Sequence, residues 1–258
     1  TQNIWIMLVF CLALGFFIGS LNGVLVAKGH MPAMIATLAM QTSCRAIVNH
    51  FGQGGPFTVA GGIATEPFYE TFRRVGNGSI SVLGNSVPYP MLMFIALALL
   101  AGLIMQCTRL GKHIYAVGSN LEAAKLSGVN VSKVVIKAYM VSAFCAGVAG
   151  LITCATGGLG TMDAGNTYEL YAVAASVIGG VSTLGGQGIL LGTVVGASVW
   201  GVMQNGLSLA GAPVALRNII IGIIVVISVL ADVIVRSGKW SRKPRETAPE
   251  AAAQTPQN

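Results

Sequence analysis

The chain has 258 residues, 54% of them hydrophobic and 9% charged, with a mean hydropathy of +0.74 and a formal net charge of +7. A soluble domain carries about 25% charged residues, so the composition excludes a soluble enzyme, a disordered protein and a disulfide scaffold. The apolar residues number about 139 and can fill about seven spans of ~20 residues each, which predicts an all-α, polytopic helical membrane bundle.

Seven apolar segments follow along the chain, at roughly 4–27, 32–50, 88–108, 134–156, 170–184, 189–209 and 214–236. The first begins almost at Thr1, without a Met or a basic leader, which predicts a chain whose beginning is missing. It carries Gly15, Gly19 and Gly23 at a four-residue spacing. Such a flat stripe on one helix face lets another backbone approach closely, and close packing drives helix pairing in lipid. Gly188, Gly192 and Gly196 repeat the device in the sixth segment.

The connection 51–87 is long and Gly-rich. Within it, Thr65 to Arg74 predicts a short helix capped by Thr65, with Pro67 in its first turn. Its aromatic residues suit a membrane interface, and Glu66, Glu70, Arg73 and Arg74 give it charge.

The connection 109–137 follows the third span. Ser119 and Glu122 have the spacing of a capping box. Good helix formers from Leu121 to Ser127 end at Gly128, a natural stop. This predicts a helix of about two turns, which is marginal alone in water and so docks against something.

The fifth segment is short and ends in Gly179-Gly180 and Gly185-Gly186, predicting a partial or bent span. Polar residues inside a membrane face a water-filled path or partner helices. Asn22, Asn166, Tyr168, Glu169, Tyr171 and Asn205 are the candidates for a path. Their mostly neutral hydroxyl and amide groups suit a neutral polyol, which needs hydrogen bonds rather than ion pairs. For Asn22 and Asn205, interhelical hydrogen bonding is an equal reading. Near the end of the seventh segment, Asp232 precedes Arg236 by four residues and can pair with it on one face.

Lysine and arginine gather at Lys28, from Arg109 to Lys137, and from Arg236 to Arg245, while 157–188 has neither. The positive-inside rule then places connections one, three, five and seven, and the C-terminus, in the cytoplasm. Arg73 and Arg74 are the exception, accompanied by Glu66 and Glu70. The positive charge is thus read as orientation and not as a nucleic-acid patch. The basic, then Pro-, Ala- and Gln-rich stretch 237–258 predicts a disordered tail, leaving 1–236 as the transmembrane domain.

Gly111-Lys112 and Gly238-Lys239 both lack the upstream Gly and the following Ser or Thr of a phosphate loop. His30, His50 and His113 are far apart, and the five cysteines form no CxxC pair. No catalytic residue, metal site or cofactor is expected in the chain itself.

The run Glu122-Ala123-Ala124 followed by Gly128 resembles the EAA loop of ABC-transporter permeases. Lys28 to Leu38, Thr108 to Lys112, Tyr168-Glu169-Leu170, Ala174-Ala175, Gly179-Gly180, Gly185-Gly186 and Asn205-Gly206-Leu207 together resemble the permeases of ribose, xylose and arabinose importers. The resemblance implies the C-terminal seven spans of a ten-span permease in a bacterial inner membrane, lacking the N-terminal helices. It implies an ATPase partner of the tandem-cassette kind that binds the ATP, a soluble binding protein and a second permease copy, all around a lipid-embedded bundle. Ser119, Asn120, Glu122, Ala123, Ala124 and Gly128 would couple to the ATPase through the loop 109–133, and Glu66, Glu70, Arg73 and Arg74 would meet the binding protein. Tyr171 departs from the Asp common after Glu-Leu, and Met34 from a common Phe. Permeases for nucleosides or branched-chain amino acids, and a truncated non-transporting subunit, are the alternatives.

Overall fold

Backbone amides in hydrocarbon have no water to bond with, so each apolar segment must close its hydrogen bonds internally. Every one of the seven expected segments contains a helix in the computed structural model, which describes residues 4–52, 55–58, 67–82 and 84–240. In chain order the elements begin with α1 (Ile4–Ala27), α2 (Ala33–Gly52), β1 (Phe57–Thr58) and α3 (Pro67–Asn77). A hairpin of β2 (Ser79–Val82) and β3 (Asn85–Pro88) leads into α4 (Tyr89–Cys107). Two short helices, α5 (Arg109–Ser119) and α6 (Leu121–Leu126), precede α7 (Val131–Gly157). After β4 (Leu159–Gly160) come α8 (Tyr168–Ile178), α9 (Leu190–Leu209) and α10 (Val214–Trp240).

Among the described residues, four stretches are long and apolar enough to cross a membrane: Leu8–Ala27, Tyr89–Cys107, Val131–Gly157 and Ala215–Ile234. Helices α2 and α9 reach 20 residues each, but carry Arg45 and His50 or Gln204 and Asn205. The chain is a multi-pass membrane protein. Helix α8 has 11 residues, or about 16 Å at 1.5 Å per residue, roughly half the hydrocarbon core. The expected fifth span of 170–184 thus ends early, at Gly179. The physical reason lies in Gly180, Gly185 and Gly186, whose φ values of 84°, 91° and 71° take the chain out of helix. The last helix runs through Trp240, so the expected boundary at 236 falls inside α10. Residues 241–258, the rest of the expected tail, lie outside the described residues.

Both glycine stripes make helix seams, except that Gly188 lies before the start of α9, against Val181, so the second seam rests on Gly192 and Gly196. A Cβ on Gly19 would stand 2.8 Å from the Tyr139 carbonyl, and one on Gly23 2.8 Å from the Ile136 Cα, so α1 lies directly on the α7 backbone. A Cβ on Gly192 or Gly196 would collide with the carbonyls of Gly179 or Ala175, fixing α9 on α8. The core beside this second seam is small: Ala174, Ala175, Trp200 and Ile221 are buried together, with Tyr171 and Met203 packed against them.

One end of the bundle carries α5 and α6. There Ser132 Oγ donates to the Ala27 carbonyl at 3.3 Å, joining the end of α1 to the start of α7. The opposite end carries α3 and the β elements. There β1 pairs antiparallel with β4, Phe57 opposite Gly160. Arg45 Nη1 donates to the Met162 carbonyl at 3.0 Å, and Asn77 Nδ2 donates to that of Thr156 at 3.2 Å.

Candidate functional site

The α5–α6 end is built from consecutive caps. Thr108 ends α4 and caps α5: its hydroxyl donates to the Ile104 carbonyl at 2.6 Å and accepts from the Gly111 amide at 3.3 Å. Helix α5 was not expected from the sequence, although Thr108 is the type of residue that starts a helix. The cap of α6 is Asn120, whose side chain accepts from the Ala123 amide at 3.0 Å. This corrects the capping box expected at Ser119, which is the last residue of α5. The Glu122 carboxylate accepts from Lys125 Nζ at 3.1 Å, one turn on. Gly128 does stop the helix. Its φ is 79°, its amide bonds the Lys125 carbonyl at 2.9 Å, and the Val129 amide bonds that of Ala124 at 3.1 Å. These two bonds form a Schellman motif.

Only Ala124 of α6 is buried; Leu121, Glu122, Ala123, Lys125 and Leu126 are exposed. Leu126 is 89% exposed, an apolar knob standing away from the bundle beside a charged pair.

Behind α6, helix α5 grips the segment between α8 and α9. Tyr115 Oη donates to the Gly188 carbonyl at 3.0 Å. A Cβ on Gly118 would stand 2.7 Å from the Gly186 amide, so the two backbones touch. On its other side, the Asp232 Oδ2 of α10 accepts from the Thr183 amide at 3.1 Å and hydroxyl at 2.8 Å. Asp232 had been expected to pair with Arg236, whose side chain lies outside the described residues. A cavity of about 220 Å³ lies here, lined in part by Met105, Ile114, Tyr115, Val181 and Gln187. Tyr115, Thr183 and Asp232 are functional candidates the sequence reading missed in these roles, because each finds its partner far along the chain.

At the opposite end, α8 starts with Thr167 at φ 66°, a strained setting for a β-branched residue. From there Tyr168, Tyr171 and Trp200 form an aromatic ladder with ring centroids 5.7 and 5.2 Å apart. Tyr168 is 55% exposed and Trp200 only 7%, so the ladder leads from the surface inward. Asn166 and Glu169 are exposed beside it. Trp200 is a further residue the sequence reading missed; its place in the glycine-striped α9 was the available signal. Asn205 lies on an exposed face of α9. Asn22 sits on α1 next to the α7 seam, and its Oδ1 is buried with no hydrogen-bond partner among the described residues.

On α3, Phe72 and Val75 line an apolar cavity of about 130 Å³ together with Leu8, Leu12, Met93 and Val148. Glu70, Arg73 and Arg74 are exposed. Glu66 and the expected Thr65 cap lie outside the described residues. Among the described residues, no group of three His, Cys, Asp or Glu could hold a metal ion.

A sequence profile described as branched-chain amino acid transport system / permease component matches residues 1–229. The chain is 35% identical over 229 residues to the ribose import permease protein RbsC of Haemophilus influenzae, covering 89% of this chain and 68% of that protein. Against RbsC of Escherichia coli the identity is 37% over 231 residues, covering 89% and 69%. Against the xylose transport system permease protein XylH of Haemophilus influenzae it is 31% over 276 aligned positions, covering 88% and 74%. No solved structure matches the chain significantly.

Proposed function

The chain belongs to the branched-chain amino acid transport system permease family, and on that premise we propose that it passes a ribose-like monosaccharide across a bacterial inner membrane as one subunit of an ATP-driven importer. The observation that carries the mechanism is α6, capped at both ends and offering Leu121, Glu122 and Leu126 away from the bundle. Such a short rigid knob suits a groove in a separate ATPase subunit, which supplies the ATP site; this chain is a transport subunit. Ser119, Asn120, Glu122, Ala123, Ala124 and Gly128 are the proposed coupling residues, and the α5–α6 end and the C-terminus are then cytoplasmic.

Motion imposed on α6 passes into α5, then through Tyr115 and Gly118 into the glycine segment below α8. That segment also carries the Thr183–Asp232 tie to α10, so a shift of α5 pulls on three helices at once. Cargo enters at the other end. There Asn166, Tyr168, Glu169 and Tyr171 offer aromatic faces and hydrogen-bonding groups, with Asn22 and Asn205 further along. A soluble binding protein delivers it to the face bearing Glu66, Glu70, Arg73 and Arg74. The sugar assignment is supported by relatives named for ribose and xylose. The matched profile's description favours a second cargo class, branched-chain amino acids.

Uptake of labelled ribose, xylose and leucine by cells carrying the chain with its neighbouring ATPase and binding protein decides the cargo. Leucine uptake without sugar uptake selects the second class. Glu122→Arg combined with Gly128→Pro should abolish both ATPase co-purification and uptake. Unchanged values for both would remove α6 as the coupling element.

A further inference from the structure

Beside α6 the structure holds a second cleft, of about 410 Å³, between α5 and the start of α7. Four basic side chains line it in two facing pairs: Arg109 and His113 on α5, Lys133 and Lys137 on α7. Each pair is spaced i, i+4, so both members stand on one face of their helix. No acidic residue lines the cleft. Among the described residues, Arg109, Lys133 and Lys137 have no carboxylate within ion-pair distance. The N-terminus of the 27-residue α7 closes one side at Asn130 and adds the positive end of its dipole. Leu110 and the buried Val134 give the cleft an apolar floor.

The depth of this cleft identifies what reaches it. Helix α7, with 27 residues, is about 40 Å long, while a hydrocarbon core needs only about 20 residues. The surplus of about seven residues is the length of Val131–Lys137, so with the far end of α7 at the opposite interface Lys133 and Lys137 stand at the headgroup level. Arg109 lies two residues past the end of α4, at the same level. A cationic, apolar-floored cleft in that plane fits a phosphate that arrives attached to an acyl chain.

We propose that this cleft binds the phosphate of an anionic phospholipid from the cytoplasmic leaflet, held by Arg109, Lys133 and Lys137. The inference uses the membrane orientation given above but neither the cargo nor the ATPase partner. Its test is run on the chain alone, so that its failure leaves the transport reading standing.

The chain is purified in detergent and titrated with phosphatidylglycerol or phosphatidylcholine, with bound lipid counted by native mass spectrometry. The chain should retain phosphatidylglycerol in preference to phosphatidylcholine. Lys133→Gln with Lys137→Gln should weaken phosphatidylglycerol about 30-fold, the effect of two interfacial charges. Lys133→Arg with Lys137→Arg should restore it, which separates lost charge from lost folding. Excess inorganic phosphate should leave the lipid bound. Equal retention of the two lipids, an unchanged affinity in the Gln pair, no restoration by the Arg pair, or displacement by inorganic phosphate would each overturn the proposal.

Discussion

At Thr183 two hydrogen bonds meet one carboxylate oxygen of Asp232, at 3.1 and 2.8 Å. Bonds to a charged acceptor outweigh neutral ones, about 1.5–3 kcal/mol each at most, and exposure reduces that. Thr183→Val removes the hydroxyl bond, and Asp232→Asn removes the charge. Each should cost about 1 kcal/mol of stability, and the double variant should cost less than the sum of the two, since Asp232→Asn already weakens the hydroxyl bond that Thr183→Val removes. Thermal unfolding of the purified variants reads this directly, and additive losses would mean the two residues act separately. Gly192 and Gly196 show the opposite economy. They contribute by having no side chain, because the carbonyls of Gly179 and Ala175 occupy the space a Cβ would need.

At the scale of the element, α6 is the test case for reading local structure. Its extent and its stop at Gly128 were legible, since helix formers followed by Gly constitute a local code. Its cap was misplaced by one residue. Ser119 and Asn120 are both good caps, and what separates them is that α5 continues through Ser119. Asn120→Ala should therefore raise local opening of α6 by about 1 kcal/mol, seen as roughly fivefold faster exchange of the Ala123 amide. Ser119→Ala should leave that rate within a factor of about two, being outside the cap bond. Equal effects from both would restore the Ser119 capping box. The same logic explains α8. Its apolar run reaches past Ile178, but glycines at positive φ end the helix where hydropathy alone would extend it.

For the molecule as a whole, the two ends differ in chemistry. The α5–α6 end carries Arg109, Lys112, Lys125, Lys133 and Lys137; the other carries α3, the paired strands and the open start of α8. The orientation proposed above, from the positive-inside rule, puts the first end in the cytoplasm. In a background with all five cysteines changed to Ser, Leu126→Cys should react with an impermeant maleimide only in inverted vesicles. Glu70→Cys should react only in right-side-out ones. The reverse pattern would invert the transport scheme and move the proposed lipid cleft to the other leaflet.

The sequence by itself determined the all-helical class, because burying a backbone in hydrocarbon leaves one local solution, the helix, and hydropathy reports it directly; the order of its short motifs carried the family, while the ends of α8 and α10 fell elsewhere than hydropathy put them. Only the tertiary structure decided which groups act together. Tyr115 meets Gly188 from 73 positions away, and Thr183 meets Asp232 from 49. Trp200 completes a ladder begun on another helix. Periodicity records which face of a helix is apolar, whereas these pairings depend on how neighbouring helices cross and stack, and that follows from packing over the whole bundle.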